Sequence, residues 1–207
     1  MRSEDVTELV VVRHGESTWN VESRFTGQAD PPLSERGRAQ AEELAGRCAG
    51  LGVDAVVTSD LDRAFSTGLA VTHRLGLPPP VRLPSLRERW NRVLEGVSSR
   101  DIEATFPGVL ADWREARPVT LPGEFEDYDA FAERVADGLV ESAGQGDRVL
   151  VVAHAGIFVV LDQLTGEAEA GGIGNAEGRR VRVGPDGSLV VGDPVRVEGP
   201  SGFTTGG

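Results

Sequence analysis

Two uninterrupted apolar runs, Leu9-Val10-Val11-Val12 and Val149-Leu150-Val151-Val152-Ala153, each deliver a histidine and then a glycine: Arg13-His14-Gly15-Glu16 and His154-Ala155-Gly156. Neither run alternates apolar with polar residues, and both are rich in β-branched side chains. That pattern predicts strands covered on both faces, the kind found in parallel sheets packed between helices. Open sheets of this type bind ligands at the carboxyl ends of their strands. If the two strands run the same way, His14 and His154 arrive at one edge, and they are two of only three histidines in the chain. A lone histidine after a strand reads as a packing or capping group. The repeat of the arrangement is what points to a site.

The segments between the two runs supply the helices such a sheet needs. Ser34 to Ala49 reads as a helix capped by Ser34, with Glu35 at its positive end and Ala41, Leu44, Ala45 and Cys48 on an apolar stripe. Asp54 to Ser59 reads as a strand, Asp60 to Leu75 as a second helix, and Val81-Arg82-Leu83 as a third strand. A polar segment follows to about Glu124, with helical pieces from Ser98 to Thr105 and Val109 to Ala116. Tyr128, Phe131, Val135 and Leu139 place a helix over Asp127 to Ser142, and Ile157 to Leu164 continue as a helix behind Gly156. Arg180 to Val183 and Leu189 to Val191 flank Gly184-Pro185-Asp186-Gly187-Ser188 as an edge hairpin. The expected fold is a three-layer α/β/α sandwich, a mostly parallel doubly wound sheet with a C-terminal edge hairpin, in one domain over residues 1–207.

Composition narrows the chemistry. All 21 basic residues are arginine, so a P-loop lysine and an aldimine-forming lysine are both excluded. With 33 acidic residues the net charge is -12, which predicts no nucleic-acid partner. An anionic substrate must then be held by arginines acting locally, within a Debye length of about 10 Å. One cysteine forms no intrachain disulfide, Arg2, Glu4, Asp5 and Glu8 stand where a secretion signal would be apolar, and no run suits a membrane span. A cytoplasmic protein without a membrane partner is expected; the sequence does not address its oligomeric state.

Thr58-Ser59-Asp60-Leu61-Asp62-Arg63-Ala64 carries Arg63 into the first turn of the second helix, at the edge that holds the histidines. A cation there opposes the helix dipole, which suits phosphate binding better than stability. Together with Arg13-His14-Gly15-Glu16 and His154-Ala155-Gly156, in this order and spacing, the segment resembles the histidine phosphatase superfamily, also called phosphoglycerate-mutase-like, over about residues 8 to 165. Ser17-Thr18-Trp19-Asn20, Phe25-Thr26-Gly27, Asp30 to Ser34 and Gly37 to Ala41 resemble the family's first loop and helix.

The resemblance implies that His14 is a nucleophile forming a phosphohistidine that water later hydrolyses, with Arg13, Arg63 and His154 around the transferring phosphoryl group. Asn20, Thr26, Gly27 and Ala155 are the expected substrate-binding positions, and neither a metal nor another cofactor is implied. Glu88 in Leu86-Arg87-Glu88-Arg89 is the expected proton donor to the leaving oxygen, with Glu95 in Leu94-Glu95-Gly96 a second candidate. Glu88 between two arginines also reads as a surface ion-pair residue. Arg92 and Leu94 stand where the family pattern has glycine and tryptophan, and Phe125 where it has serine. Trp90 and Trp113 read as lid or packing residues, Arg114 and Arg117 as further anion contacts, and His73 as structural.

The reaction expected is metal-independent hydrolysis of a small-molecule phosphomonoester, because Pro122-Gly123-Glu124 resembles the phosphatase branch. The family's phosphoglycerate mutases use a lysine and a tyrosine; this chain has no lysine, and Asn91 stands in the tyrosine's place. A phosphoglycerate-type mutase and a non-catalytic phospho-ligand binder are the alternative readings.

Overall fold

A computed structural model describes residues 6–115, 117, 119, 121–165 and 173–195. Six strands form one sheet: β1 (Thr7–Arg13), β2 (Ala55–Thr58), β3 (Val81–Arg82), β4 (Arg148–Ala153), β5 (Gly178–Val183) and β6 (Leu189–Val195), in the order β3-β2-β4-β1-β5-β6. The first four pair in parallel, while β5 and β6 run antiparallel as the expected edge hairpin. Val10 lies opposite Leu150 and Arg13 opposite Ala153, so the two apolar runs are central neighbours in register.

Pleating divides each run between two cores. Leu9, Val11, Val149 and Val151 face α6 (Tyr128–Ala143) and α7 (Ala155–Thr165), meeting Phe131, Val135, Leu139, Ile157 and Leu161. Val10, Val12, Leu150 and Val152 face α2 (Glu35–Cys48) and α3 (Asp62–Leu75), meeting Leu44, Ala45, Cys48, Ala64 and Val71. These layers make the three-layer sandwich. The chain leaves β1 toward one face and leaves β4 toward the other, which opens a crevice between adjacent strand ends.

Local chemistry sets the helix ends close to the expected ones. Ser34 Oγ accepts from the Gly37 amide at 2.9 Å to start α2. The second helix begins at Asp62 rather than Asp60, because Asp30 reaches across the fold to accept from the Asp62 amide at 2.7 Å. A short helix α1 (Thr18–Val21), unforeseen from apolar periodicity, is held by a reciprocal capping box between Ser17 and Asn20. Helices α4 (Ser99–Thr105) and α5 (Val109–Arg114) lie in the polar segment, and Ile102, Val109 and Leu110 pack with Leu94 and Leu121 in a third apolar cluster. Ala116, at the expected end of α5, lies outside the described residues, as do the first five residues of the chain. Among the described residues no helix is long and apolar enough to cross a membrane.

Gly37 marks the tightest junction between the β1 loop and α2. A Cβ on it would stand 1.9 Å from the Glu16 carbonyl oxygen, whereas a Cβ on Gly46, farther along the same helix, would meet nothing within 4 Å. Gly37→Ala should therefore destabilise the protein by about 1–3 kcal/mol in urea unfolding. Gly46→Ala should be neutral or stabilising by up to about 1 kcal/mol, since glycine is a poor helix residue. Equal effects of the two substitutions would contradict this packing.

Candidate active site

His14 and His154 follow directly on the paired residues Arg13 and Ala153, and the His14 amide donates to the Ala153 carbonyl at 3.0 Å. Their rings meet edge to face with centroids 5.2 Å apart, and both are buried. The Nδ1 of His14 lies 2.6 Å from the Gly15 carbonyl oxygen. A carbonyl can only accept, so Nδ1 carries the proton and Nε2 holds a lone pair. Arg63 Nε donates to that Nε2 at 3.2 Å, which is consistent with the same tautomer.

Arg63 is fully buried, and backbone oxygens fix its orientation. Nη1 donates to the Ala29 carbonyl at 2.7 Å and Nη2 to the Gly27 carbonyl at 2.8 Å, with Asp30 3.4 Å from Nη1. Arg13 Nη1 donates to the Ile173 carbonyl at 2.9 Å. The Arg13 Nε and both ring nitrogens of His154 are buried without a hydrogen-bond partner. Arg13 lines the cavity described below, and an unpaired buried donor there is a group that an oxyanion would satisfy.

Burial, reinforced by Arg63 and Arg13, holds the His14 imidazole well below the ordinary histidine pKa. Burial does the same to His154, with Arg63, His14 and Arg13 adding to it. Both rings therefore stay neutral while two guanidiniums carry the positive charge. Burial also lowers the pKa of Arg13 and of Arg63, and Glu88 is the leading charge that opposes the shift in each case.

Glu88 sits across from the strand ends, not in a surface ion pair. One carboxylate oxygen accepts from the Gly156 amide at 3.1 Å, and the other from the Arg89 amide at 2.7 Å. The first contact places it at the amino terminus of α7, where the helix dipole favours an anion. Gly156 permits the approach, since a Cβ there would lie 2.2 Å from Glu88 Oε1. The flanking arginines turn elsewhere: Arg87 binds Asp60 through two short hydrogen bonds, and Arg89 lies over the Trp113 ring at 3.9 Å. Glu95 instead accepts from the Gln28 amide at 2.9 Å, beneath the Gly27 turn.

A cavity of about 1010 Å³ is lined by Arg13, His14, Asn20, Thr26, Gly27, Glu88 and Ala155, while Arg63 and His154 lie buried behind His14 and do not reach its surface. Glu95, Trp90, Arg92 and Arg117 are not among its lining residues, whereas Trp113, Arg114, Arg89 and Tyr128 are. Arg117 is taken up by Asp112 and Glu115, and Arg92 is exposed near Trp90. Phe125 packs edge-on against Trp113, with centroids 6.4 Å apart, so its departure from the family pattern is a support for the cavity wall. Leu94 fills the third apolar cluster. Asn91 is buried and accepts from the Val93 and Leu94 amides, shaping the turn. His73 is exposed in the last turn of α3.

Several contributors went unnoticed in the sequence. Asn175 Nδ2 donates to the His14 carbonyl at 3.0 Å, and Thr67 Oγ1 accepts from the Gly15 amide at 3.1 Å. The partner in each is a backbone group, and only the helical position of Thr67, one turn after Arg63, left a trace in the sequence. Among the described residues no group of three or more His, Cys, Asp or Glu side chains is disposed to hold a metal ion.

The model of the histidine phosphatase superfamily, branch 1, matches residues 9–191. A metal-independent phosphoserine phosphatase of Arabidopsis thaliana is 35% identical over 180 residues, covering 83% of this chain and 74% of its own. A 2,3-bisphosphoglycerate-dependent phosphoglycerate mutase from a Bradyrhizobium species is 36% identical over 172 residues, covering 77% and 83%. Among solved structures, the mycobacterial glucosyl-3-phosphoglycerate phosphatase complexed with VO3 aligns at a TM-score of 0.74 and 32% identity, covering 84% of this chain and 92% of that one. The chain belongs to the histidine phosphatase superfamily, branch 1. Its fold is that of its phosphatase neighbours, and the enzyme is a phosphatase.

The buried imidazoles make a pH prediction. An unfolded histidine takes up a proton near pH 6.5, whereas His14 and His154 resist it in the native state. Below that pH the unfolded state binds more protons, so stability falls with falling pH, by up to about 1.4 kcal/mol per pH unit for each histidine. Thermal midpoints measured from about pH 7.5 to about pH 5 should drop more steeply in the wild type than in the His14→Gln/His154→Gln variant. Identical pH dependence in the two proteins would contradict the burial of neutral rings.

Proposed function

We propose that the chain hydrolyses small-molecule phosphomonoesters in two in-line steps through a phosphohistidine on His14. The observation that carries this reading is the Nε2 lone pair set by the Gly15 carbonyl and held beside Arg63, on a histidine that lines the cavity. In the first step Nε2 forms a bond to phosphorus as the ester P–O bond breaks. Glu88, in its acid form, gives the leaving oxygen its proton. In the second step Glu88, now a carboxylate, takes a proton from water as the water oxygen attacks phosphorus and the P–N bond breaks. Arg13, Arg63 and His154 offset charge on the equatorial oxygens. Asn20, Thr26, Gly27 and Ala155 supply contacts at the rim.

The leaving group has its own wall. Arg89 is buried, lies over Trp113 and within 5.4 Å of the Tyr128 ring, and its Nη1 and the Tyr128 hydroxyl have no hydrogen-bond partner. A buried guanidinium and hydroxyl beside aromatic rings suit an alcohol that bears a carboxylate. Phosphoserine and glucosyl-3-phosphoglycerate, named for two of the relatives, both carry one. A cytoplasmic location accords with the single, buried cysteine.

The similarity to mutases keeps one other reaction in view, return of the phosphoryl group to a second hydroxyl. A mutase must shield its phosphohistidine from water, and a cavity of about 1010 Å³ leaves room for solvent beside a small sugar acid. With EDTA present, the purified protein should release inorganic phosphate from p-nitrophenyl phosphate and O-phosphoserine, and His14→Ala should reduce release by about 10³-fold or more. Isomerisation of phosphoglycerate without net phosphate release, or inertness toward every phosphomonoester tried, would overturn the reading.

A further inference from the structure

Arg134, on α6, uses all of its hydrogen-bonding capacity to hold one short stretch of backbone. Its Nη1 donates to the Ser85 carbonyl at 2.9 Å and the Arg87 carbonyl at 2.8 Å, and its Nη2 to the Glu88 carbonyl at 3.0 Å. The remaining two N–H groups go to the Glu126 carboxylate, Nε at 2.5 Å and Nη2 at 2.8 Å. Five donors thus meet five acceptors, the full capacity of a guanidinium. Three of those acceptors are carbonyls in a four-residue span that ends at Glu88.

Glu126 extends the grip to the other side of Glu88. Its carboxylate accepts from the Trp90 amide at 3.1 Å, and its carbonyl accepts from Arg89 Nε at 3.0 Å. The pair is largely shielded, with side-chain exposure of 23% for Arg134 and 16% for Glu126. Segment 85–90 has little regular structure of its own beyond a 3-10 turn at Pro84–Leu86. Its path past the strand ends is set by these side chains, and one turn farther along α6 Gly138 packs so closely that a Cβ would lie 2.6 Å from Ser85 Oγ. Neither Arg134 nor Glu126 lines the cavity.

We propose that Arg134, with Glu126, is a positioning residue that aims the Glu88 carboxyl at the leaving oxygen. The inference rests on Glu88 serving as the acid. A displacement of even 1 Å in a proton donor costs on the order of 10²-fold in rate, so a device that fixes its backbone acts on catalysis as well as on stability. Lysine cannot replace it, since an ammonium has three donors and no planar fork.

Leaving-group dependence separates this role from a merely structural one. p-Nitrophenol departs readily as its anion and needs little help from an acid, whereas an alkoxide must be protonated. Three variants, Glu88→Gln, Arg134→Lys and Glu126→Gln, would be assayed with p-nitrophenyl phosphate and O-phosphoserine, with thermal midpoints recorded for each. Glu88→Gln should lose far more kcat on the alkyl ester than on the nitrophenyl ester. Arg134→Lys and Glu126→Gln should show the same selective loss, about 10- to 100-fold on the alkyl ester, and Glu88→Gln/Arg134→Lys should be no worse than Glu88→Gln alone. Equal losses on both esters, or none, in Arg134→Lys and Glu126→Gln beside a selective Glu88→Gln would overturn the proposal and leave Glu88 as the acid. A Glu88→Gln variant without selectivity would overturn the acid assignment and the proposal together.

Discussion

The parallel pairing of β1 with β4, in the register that sets Arg13 against Ala153, is the constraint from which the site follows. It brings two strands of distant sequence to one edge and stops both at the same level, so the next residue of each is a histidine. Sliding one strand by a residue would move its end by about 3.3 Å and exchange every side chain between the two cores. The apolar runs resist that slip because both faces are buried: Leu9, Val11, Val149 and Val151 fit one helical layer, and Val10, Val12, Leu150 and Val152 the other. The hydrophobic cores therefore fix the geometry of the chemistry as well as the stability of the sheet.

On that frame the protein concentrates positive charge in a chain whose net charge is -12. Arg63 is fully buried, its one direct carboxylate contact among the described residues is Asp30 at 3.4 Å, and its other contacts are the carbonyls of Ala29 and Gly27 and the ring of His14. Carbonyl oxygens hold a guanidinium in place without cancelling its charge as a paired carboxylate would. The same economy governs His14, whose proton is pinned to Nδ1 by a backbone oxygen. Glu88 sets its carboxyl at the cavity wall, anchored on the amide of Gly156. In the proposed reaction a dianionic phosphoryl group meets the guanidinium donors and the Glu88 carboxyl in one cavity.

The sheet was legible in the sequence because burial on both faces leaves a recognisable run, and the helices because Ser34, Tyr128, Phe131, Val135 and Leu139 follow the rules of caps and periodicity. His14, His154, Arg13 and Arg63 were legible because each sits at a fixed offset from a strand end. The polar segment was less so. Glu88 and Glu95 lie seven positions apart on a stretch without period, and only packing separates a carboxylate at the cavity from one beneath the Gly27 turn. Arg87 and Arg89 look alike in sequence as flanking cations, yet one binds Asp60 and the other is buried against Trp113. Arg134 and Asn175 act on backbone carbonyls, which every residue possesses, so no pattern of side chains announces them.

The Gly15 carbonyl and the buried surroundings preset His14 as a neutral imidazole with its lone pair on Nε2. Long-range nitrogen–proton correlation NMR of the 15N-histidine-labelled protein reads this directly, with His14→Gln giving the assignment. The expected result is a resting His14 protonated on Nδ1 alone near neutral pH, and a phosphorus–nitrogen bond at Nε2 when the intermediate is trapped from a phosphomonoester. A resting His14 protonated on Nε2, or a phosphoryl group on Nδ1 or on a different residue, would contradict it.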